Sequence, residues 1–274
     1  MAIDIAKLKM PTVTAEGMEA MKLIASGDYS LAELSDIISR DPTLSATLLK
    51  YANSPMYSPM NEITNVHRAI ATLGSKALRA AIMVATMRSF HKPNHTSELL
   101  WEHSQAVSNI AKHIAKRHYP RLADDIELAA LIHNMGALIL ASNFPIQYDE
   151  IINTVTEKNN AFSLSEIENE TFGVNHDDIT IAFIRSSRLP ATLEQILADF
   201  HSRPPLVDAR DVTHQQTAII SLAHLLEQQI NTHSTRLNES PSDSIENLQS
   251  LLALTDDDLE NFIEDYDDLY MATA

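Results

Sequence analysis

Five histidines lie on or beside stretches with helical apolar spacing: His103, His133, His176, His201 and His224. Neutral imidazole is the commonest protein ligand for first-row divalent ions, so five converging rings would make a metal site, and a metal ion makes hydrolytic chemistry available. Taken singly, each reads more simply as a hydrogen-bonded core or surface histidine. They are far apart in the sequence, so spacing alone does not choose between the two. His133 stands out because it sits with Asn134 in LAALIHNMGALILA, residues 128–141, a stretch apolar on all sides. A helix of that kind lies at the centre of its bundle. The chain has no cysteine, which removes thiolate ligands and disulfides from consideration.

Only a bundle can bring such distant side chains together, and the sequence supplies its helices. Ser30 precedes LAEL with Glu33 three residues on, a capping box, and Asp41–Pro42 reads as an N-cap followed by proline at the first helical position. The next helix carries Leu44, Leu48 and Leu49 and ends at 53–59, where SPMYSP cannot continue it. A helix pair spans 66–87 with Gly74 as the break. Further helices are predicted near 98–118, 125–141, 145–157, 164–172, 177–186, 190–200 and 212–229. Strand alternation is missing. The predicted class is all-α, with an N-terminal helical subdomain over 1–92, a helical bundle over 93–230, and a junction at HKPN, 91–94.

The 274 residues carry a formal charge of −17, which repels phosphate backbones. Arg68, Lys76 and Arg79 around Gly74 would pass for a helix-turn-helix, but three basic residues on amphipathic helices read first as a solvated face, and nucleic acid is not an expected partner. The N-terminus lacks a basic region followed by a long apolar core, and no apolar run is expected to approach the ~20 residues of a membrane span, so a cytoplasmic location is expected.

No Lys or Arg follows Arg236. Residues 231–274 read as a polar linker, 231–243, and two acidic amphipathic helices. The first presents Ile245, Leu248, Leu251 and Leu252. The second presents Leu259, Phe262, Ile263, Tyr266, Leu269 and Tyr270, with Thr255 and Asp258 as its cap. That stripe is expected to dock, either on the body of its own chain or on a neighbouring protein, leaving Asp257, Glu260, Glu264, Asp265, Asp267 and Asp268 in solvent.

ISRDPTLSATLLKYANSPMYSP (38–59) followed by ITNVHRAIATLGSKALRAAIMVATM (63–87) resembles the signature of the HDOD (HD-related output domain) family. WEHS at 101–104, LAALIHNMGALIL around His133, TFGVNH ending at His176 and RLP at 188–190 extend the resemblance over roughly 8–230. It implies an HD-like helical bundle and a role in signal transduction. HDOD proteins are in turn similar to HD phosphohydrolases, whose metal site uses a histidine, an adjacent His-Asp pair, further histidines and a late aspartate. Carried over by position, His103 matches the first histidine, His133 that of the pair, and His176 and His201 the additional ones. The paired aspartate is Asn134 here, the late one is His224, and Ala137 follows Gly136 where active enzymes often carry a basic residue.

Those departures have a cost. Two divalent ions about 3.7 Å apart repel by on the order of 18 kcal/mol at an effective dielectric of 20. A bridging carboxylate offsets much of that; Asn134 and a neutral His224 do not. The resemblance therefore implies a non-catalytic signalling module with a vestigial pocket at His133, Asn134 and His224, binding a protein partner or small ligand. No cofactor is expected, or else one divalent ion (Zn, Fe, Ni or Mg) on His103, His133, His176 and His201. The competing expectation is a metal-dependent phosphohydrolase acting on a nucleotide or cyclic dinucleotide.

Overall fold

The computed structural model describes residues 2–54, 57, 62–90, 94–157, 163–187, 189–198, 200–201, 208–230 and 244–271. Among them are fourteen α-helices, a 3-10 turn at Ile5–Lys7 and no strand, so the chain is all-α. It divides into two compact units, residues 11–90 with 267–274, and residues 1–10 with 91–266. Apart from Asn94, the expected junction at 91–94 and the linker at 231–243 lie outside the described residues.

The first unit holds α1 (Ala15–Ser26), α2 (Leu31–Ser39), α3 (Pro42–Ala52) and α4 (Val66–Phe90). The Ser30 hydroxyl accepts from the Glu33 N–H, and the Asp41 carboxylate accepts from Thr43 and Leu44, so both helices start where short polar side chains satisfy orphan donors. Leu34, Ile37 and Ile38 of α2 and Leu44 and Leu48 of α3 are buried against α4. Asn53 closes the loop after α3: its amide accepts from Ile63 N–H and donates to Ile63 C=O, both at 2.8 Å. Helix α4 kinks at Gly74, where φ +74° and ψ 171° are open to glycine and costly for other residues.

The second unit holds α5 (His95–His118), α6 (Ala123–Ile132), α7 (Met135–Asn143), α8 (Pro145–Glu157), α9 (Leu164–Phe172), α10 (His176–Ser186), α11 (Ala191–Leu197), α12 (Val212–Ile230), α13 (Ile245–Leu251) and α14 (Asp256–Met271), the last reaching past Tyr266. Here the expectation of one helix over 125–141 is corrected. The expectation that no apolar run approaches the length of a membrane span is corrected too: residues Ala123–Asn143 are long and apolar enough by length and composition, though 89% of the apolar window is buried inside the protein. The run is broken at His133–Asn134, where Asn134 has φ −103° and ψ 25°. Thr180 of α10 takes up backbone groups that the break exposes: Gly136 N–H donates to its hydroxyl at 2.9 Å, and that hydroxyl donates to His133 C=O at 3.3 Å. The break lets α6 pack on α5 while α7 packs on α10. Lys112 of α5 and Glu127 of α6 form a fully buried, hydrogen-bonded ion pair, and Ser108 donates to Glu127 C=O at 2.9 Å.

The C-terminal segment docks within this unit. Leu248, Leu252, Leu254 and Phe262 are buried, α13 packs on α12, and Tyr119 donates to Leu252 C=O at 2.8 Å. The Phe262 ring meets His113 and His118 of α5 edge-on, each at 5.7 Å between centroids. The Thr255–Asp258 cap forms in both directions. Two carboxylates reach imidazoles of α5: Asp265, still half-exposed, lies 3.1 Å from His113 Nε2, and Asp258 lies 3.4 Å from His118 Nε2. The side chains of Tyr266, Asp267, Asp268, Leu269 and Tyr270 lie outside the described residues. Phe262→Ala is expected to lower stability by about 3 kcal/mol, the low end of the range for a buried phenylalanine because a single helix can undock locally. Urea unfolding monitored by circular dichroism checks this, and a loss under 1 kcal/mol would mean that Phe262 does not anchor the segment.

Candidate metal centre

All five histidines converge. His103 comes from the middle of α5, His133 from the α6–α7 break, His176 from the first residue of α10, His201 from the segment after α11 and His224 from α12. They form two adjacent groups. In the first, His103, His133 and His224 are buried, with one ring nitrogen of each within 4.8 Å of the others. The second is His176, Asp177 and His201 on the same criterion. The rings of His201 and His224 are 5.6 Å apart between centroids, so the groups adjoin. Asn134 is buried beside His133.

Gly136 makes this convergence possible. A β-carbon there would stand 1.9 Å from the His176 carbonyl oxygen, far inside contact distance. Glycine lets the start of α7 press on the start of α10, which holds His133 and His176 in one pocket.

Each ring is held from behind. His103 Nδ1 lies 2.9 Å from the buried Glu227 carboxylate, and His133 Nδ1 donates to Ala130 C=O at 2.7 Å. His224 Nε2 lies 3.0 Å from the Gln228 amide. His176 Nδ1 lies 2.6 Å from Glu168, whose other oxygen accepts from the Tyr148 hydroxyl at 2.6 Å. His201 Nδ1 lies 2.9 Å from Asp177 Oδ1 and 3.0 Å from His176 Nε2, and His201 N–H donates to Asp177 Oδ2 at 3.2 Å. Carboxylates behind imidazoles fix ring orientation and tautomer and make the outer nitrogen a better donor.

Sequence reasoning passed over Glu168, Asp177 and Glu227. Two of them carried a signal: Asp177 follows His176 directly, and Glu227 sits one turn after His224. Asp177 adds a carboxylate to His176 and His201 in the second group.

The donor set fits a divalent ion. The outer nitrogens His103 Nε2, His133 Nε2 and His224 Nδ1 are buried and have no hydrogen-bond partner. Three such atoms on adjoining buried rings would be costly if nothing met them. The pocket is also closed: His133, His176, His224 and Phe200 are each at most 1% exposed, and the Phe200 ring stands 5.8 Å from His133 and 4.8 Å from His201.

Burial, then the charges of His103 and His201, push His133 well below the usual histidine range, and burial followed by His103 and His133 does the same for His224. The unfolded chain takes up these protons below about pH 6.5 while the fold refuses them, so their contribution is complete above that pH and is lost as pH falls below it. Asp177 acts in the same direction at lower pH. Burial would raise it, but His201 and then His176 outweigh that and hold it well below the usual range. Its contribution is present above about pH 3.9, the unfolded value, and is lost below. The metal-free protein is therefore expected to lose stability from pH 6.5 downward, approaching about 1.4 kcal/mol per pH unit for each of the two histidines. Urea midpoints at pH 7.5 and 5 test this, and a midpoint that stays level would show that these rings are not held neutral.

A family model of the HDOD domain matches residues 10–203. An uncharacterized protein of Treponema pallidum (strain Nichols) is 21% identical over 197 residues, 71% of this chain, and the chain spans 38% of the length of that curated relative. A solved structure from Shewanella amazonensis SB2B, provisionally called a phosphohydrolase, is similar with a TM-score of 0.70 at 17% identity, covering 97% of this chain and 92% of the other. The response regulator MmoQ of Methylococcus capsulatus str. Bath is similar with a TM-score of 0.53 at 20% identity, covering 92% and 97%. At these identities the likeness establishes the fold.

Proposed function

This chain belongs to the HDOD domain family, and on that premise we propose that it is a signal-transduction module that binds a protein partner or small ligand and does not hydrolyse phosphoesters. The observation carrying this reading is the closure of the histidine pocket. A divalent ion bound there would supply Lewis acidity and an acidified water. Hydrolysis also needs a coordination position open to the substrate and a cleft that admits it. The most exposed ring of the first group, His103, is only 8% exposed, and Phe200 lies against the others. The charge balance argues the same way: no carboxylate stands between the two groups at Asn134, and both Asp177 oxygens already serve His201.

A second reading, a metal-dependent phosphohydrolase acting on a nucleotide or cyclic dinucleotide, is favoured by one observation, Asp177 among the histidines. A screen of phosphomonoesters, nucleotides and cyclic dinucleotides with Mg²⁺, Mn²⁺, Fe²⁺ and Ni²⁺ separates the two. No turnover above the metal-only background is expected; robust turnover of any substrate would establish the second reading.

A further inference from the structure

We propose that the chain takes one divalent ion of the imidazole-preferring kind, such as Zn²⁺ or Co²⁺, on His103, His133 and His224, while His176, Asp177 and His201 remain a hydrogen-bonded unit without an ion. The inference deepens the reading of the pocket given above and concerns which ion binds, how many and where.

The two groups differ in what their donor atoms already do. In the first, the inner nitrogen of each ring is engaged by Glu227, Ala130 or Gln228, and the outer nitrogens have no hydrogen-bond partner. His133 donates through Nδ1 to a carbonyl, so its Nε2 carries the free lone pair. Glu227 does the same for His103 by accepting from Nδ1. For His224, a half-turn of the Gln228 amide puts its oxygen against Nε2–H and leaves the lone pair on Nδ1. The second group is different. Here His176 Nε2, His201 Nδ1 and Asp177 Oδ1 engage one another, with His201 Nδ1 shared between Asp177 Oδ1 at 2.9 Å and His176 Nε2 at 3.0 Å. An ion held by all three residues must break the His176 Nε2–His201 Nδ1 contact; an ion in the first group breaks none.

Ligand spacing and type select the ion. A tetrahedral ion with nitrogen ligands at about 2.0–2.1 Å needs nitrogens about 3.4 Å apart. Contracting an equilateral set from 4.8 Å moves each ring inward by at most about 0.8 Å. Three neutral imidazoles without a carboxylate suit Zn²⁺, Co²⁺ or Ni²⁺, whereas Mg²⁺ and Mn²⁺ favour oxygen ligands. Glu227 acts here as a positioning residue through His103.

The test is equilibrium binding of Zn²⁺ and Co²⁺ to the full chain stripped by chelation, read by calorimetry, elemental analysis and the visible absorption of Co²⁺. One equivalent per chain is expected, with an intense tetrahedral cobalt spectrum and no displacement by millimolar Mg²⁺. His224→Ala and His103→Ala are expected to weaken binding at least 100-fold, and Glu227→Gln about 10–100-fold. His176→Ala and His201→Ala are expected to leave the one equivalent and the spectrum unchanged. His224→Gln, which keeps the volume and a polar group, gives the same result if the alanine variant does not fold. Two equivalents per chain, retention by both folded His224 variants, loss in His201→Ala, or no binding at micromolar Zn²⁺ would each overturn the proposal. None of these outcomes measures turnover, so the proposal and the non-hydrolytic reading fail separately.

Discussion

Gly136→Ala is expected to destabilise the protein by about 4 kcal/mol or more, a large fraction of the stability of a typical domain. The added methyl would meet the His176 backbone at 1.9 Å from its carbonyl oxygen, 2.7 Å from the carbonyl carbon and 2.9 Å from Cα. No side chain can rotate out of the way, because every one of those atoms is backbone. Relief requires α7 to back away from α10, which also strips the Thr180 hydroxyl of Gly136 N–H and His133 C=O. Denaturant unfolding of the variant measures the cost. A loss under 1 kcal/mol would show that the two helices are not so closely pressed, and the convergence of His133 and His176 would lose its basis.

The Lys112–Glu127 pair carries the second large effect. Both groups are about 1% exposed, and burial pulls the Lys112 amine below its usual range although Glu127 opposes that pull. Removing one partner strands the other charge in a dry interior, so Glu127→Ala is expected to cost about 3–5 kcal/mol. Replacing both with apolar residues of similar volume, Lys112→Met with Glu127→Leu, is expected to be neutral or mildly stabilising. Chemical denaturation of the single and double variants makes the comparison. A double variant as unstable as the single one would mean that the α5–α6 contact needs the ions themselves.

Much of the fold was legible from capping and periodicity. Asp41–Pro42, Ser30 and Thr255–Asp258 start helices as their local chemistry dictates, and Gly74 breaks one. The break at His133–Asn134 left no local trace. Both flanking segments are apolar all round, so no polar face changes phase there, and the backbone groups it frees are met by Thr180, remote in sequence. The site divides along the same line. His103, His133, His176, His201 and His224 could be named as candidates from the sequence, because histidines on apolar helices are conspicuous. Asp177 beside His176 and Glu227 one turn from His224 carried a weak signal among the 37 Asp and Glu of the chain, Glu168 carried none, and the burial of all three is decided only when α9, α10 and α12 meet the rest of the bundle. The His113 and His118 contacts with Asp265 and Asp258 were missed for a related reason: carboxylates flanking the apolar stripe of a helix reach imidazoles only once that stripe docks on α5.

The central claim is that a closed histidine pocket without a carboxylate at Asn134 does not cleave phosphoesters. Its most direct test is the rate of bis(p-nitrophenyl) phosphate cleavage by Mn²⁺- and Zn²⁺-supplemented protein, compared with His133→Ala and Asp177→Asn. The expected result is three identical rates, all equal to that of the metal alone. Cleavage by the wild-type chain well above that background, abolished in both variants, would contradict the claim and make Asp177 the carboxylate of a working hydrolase.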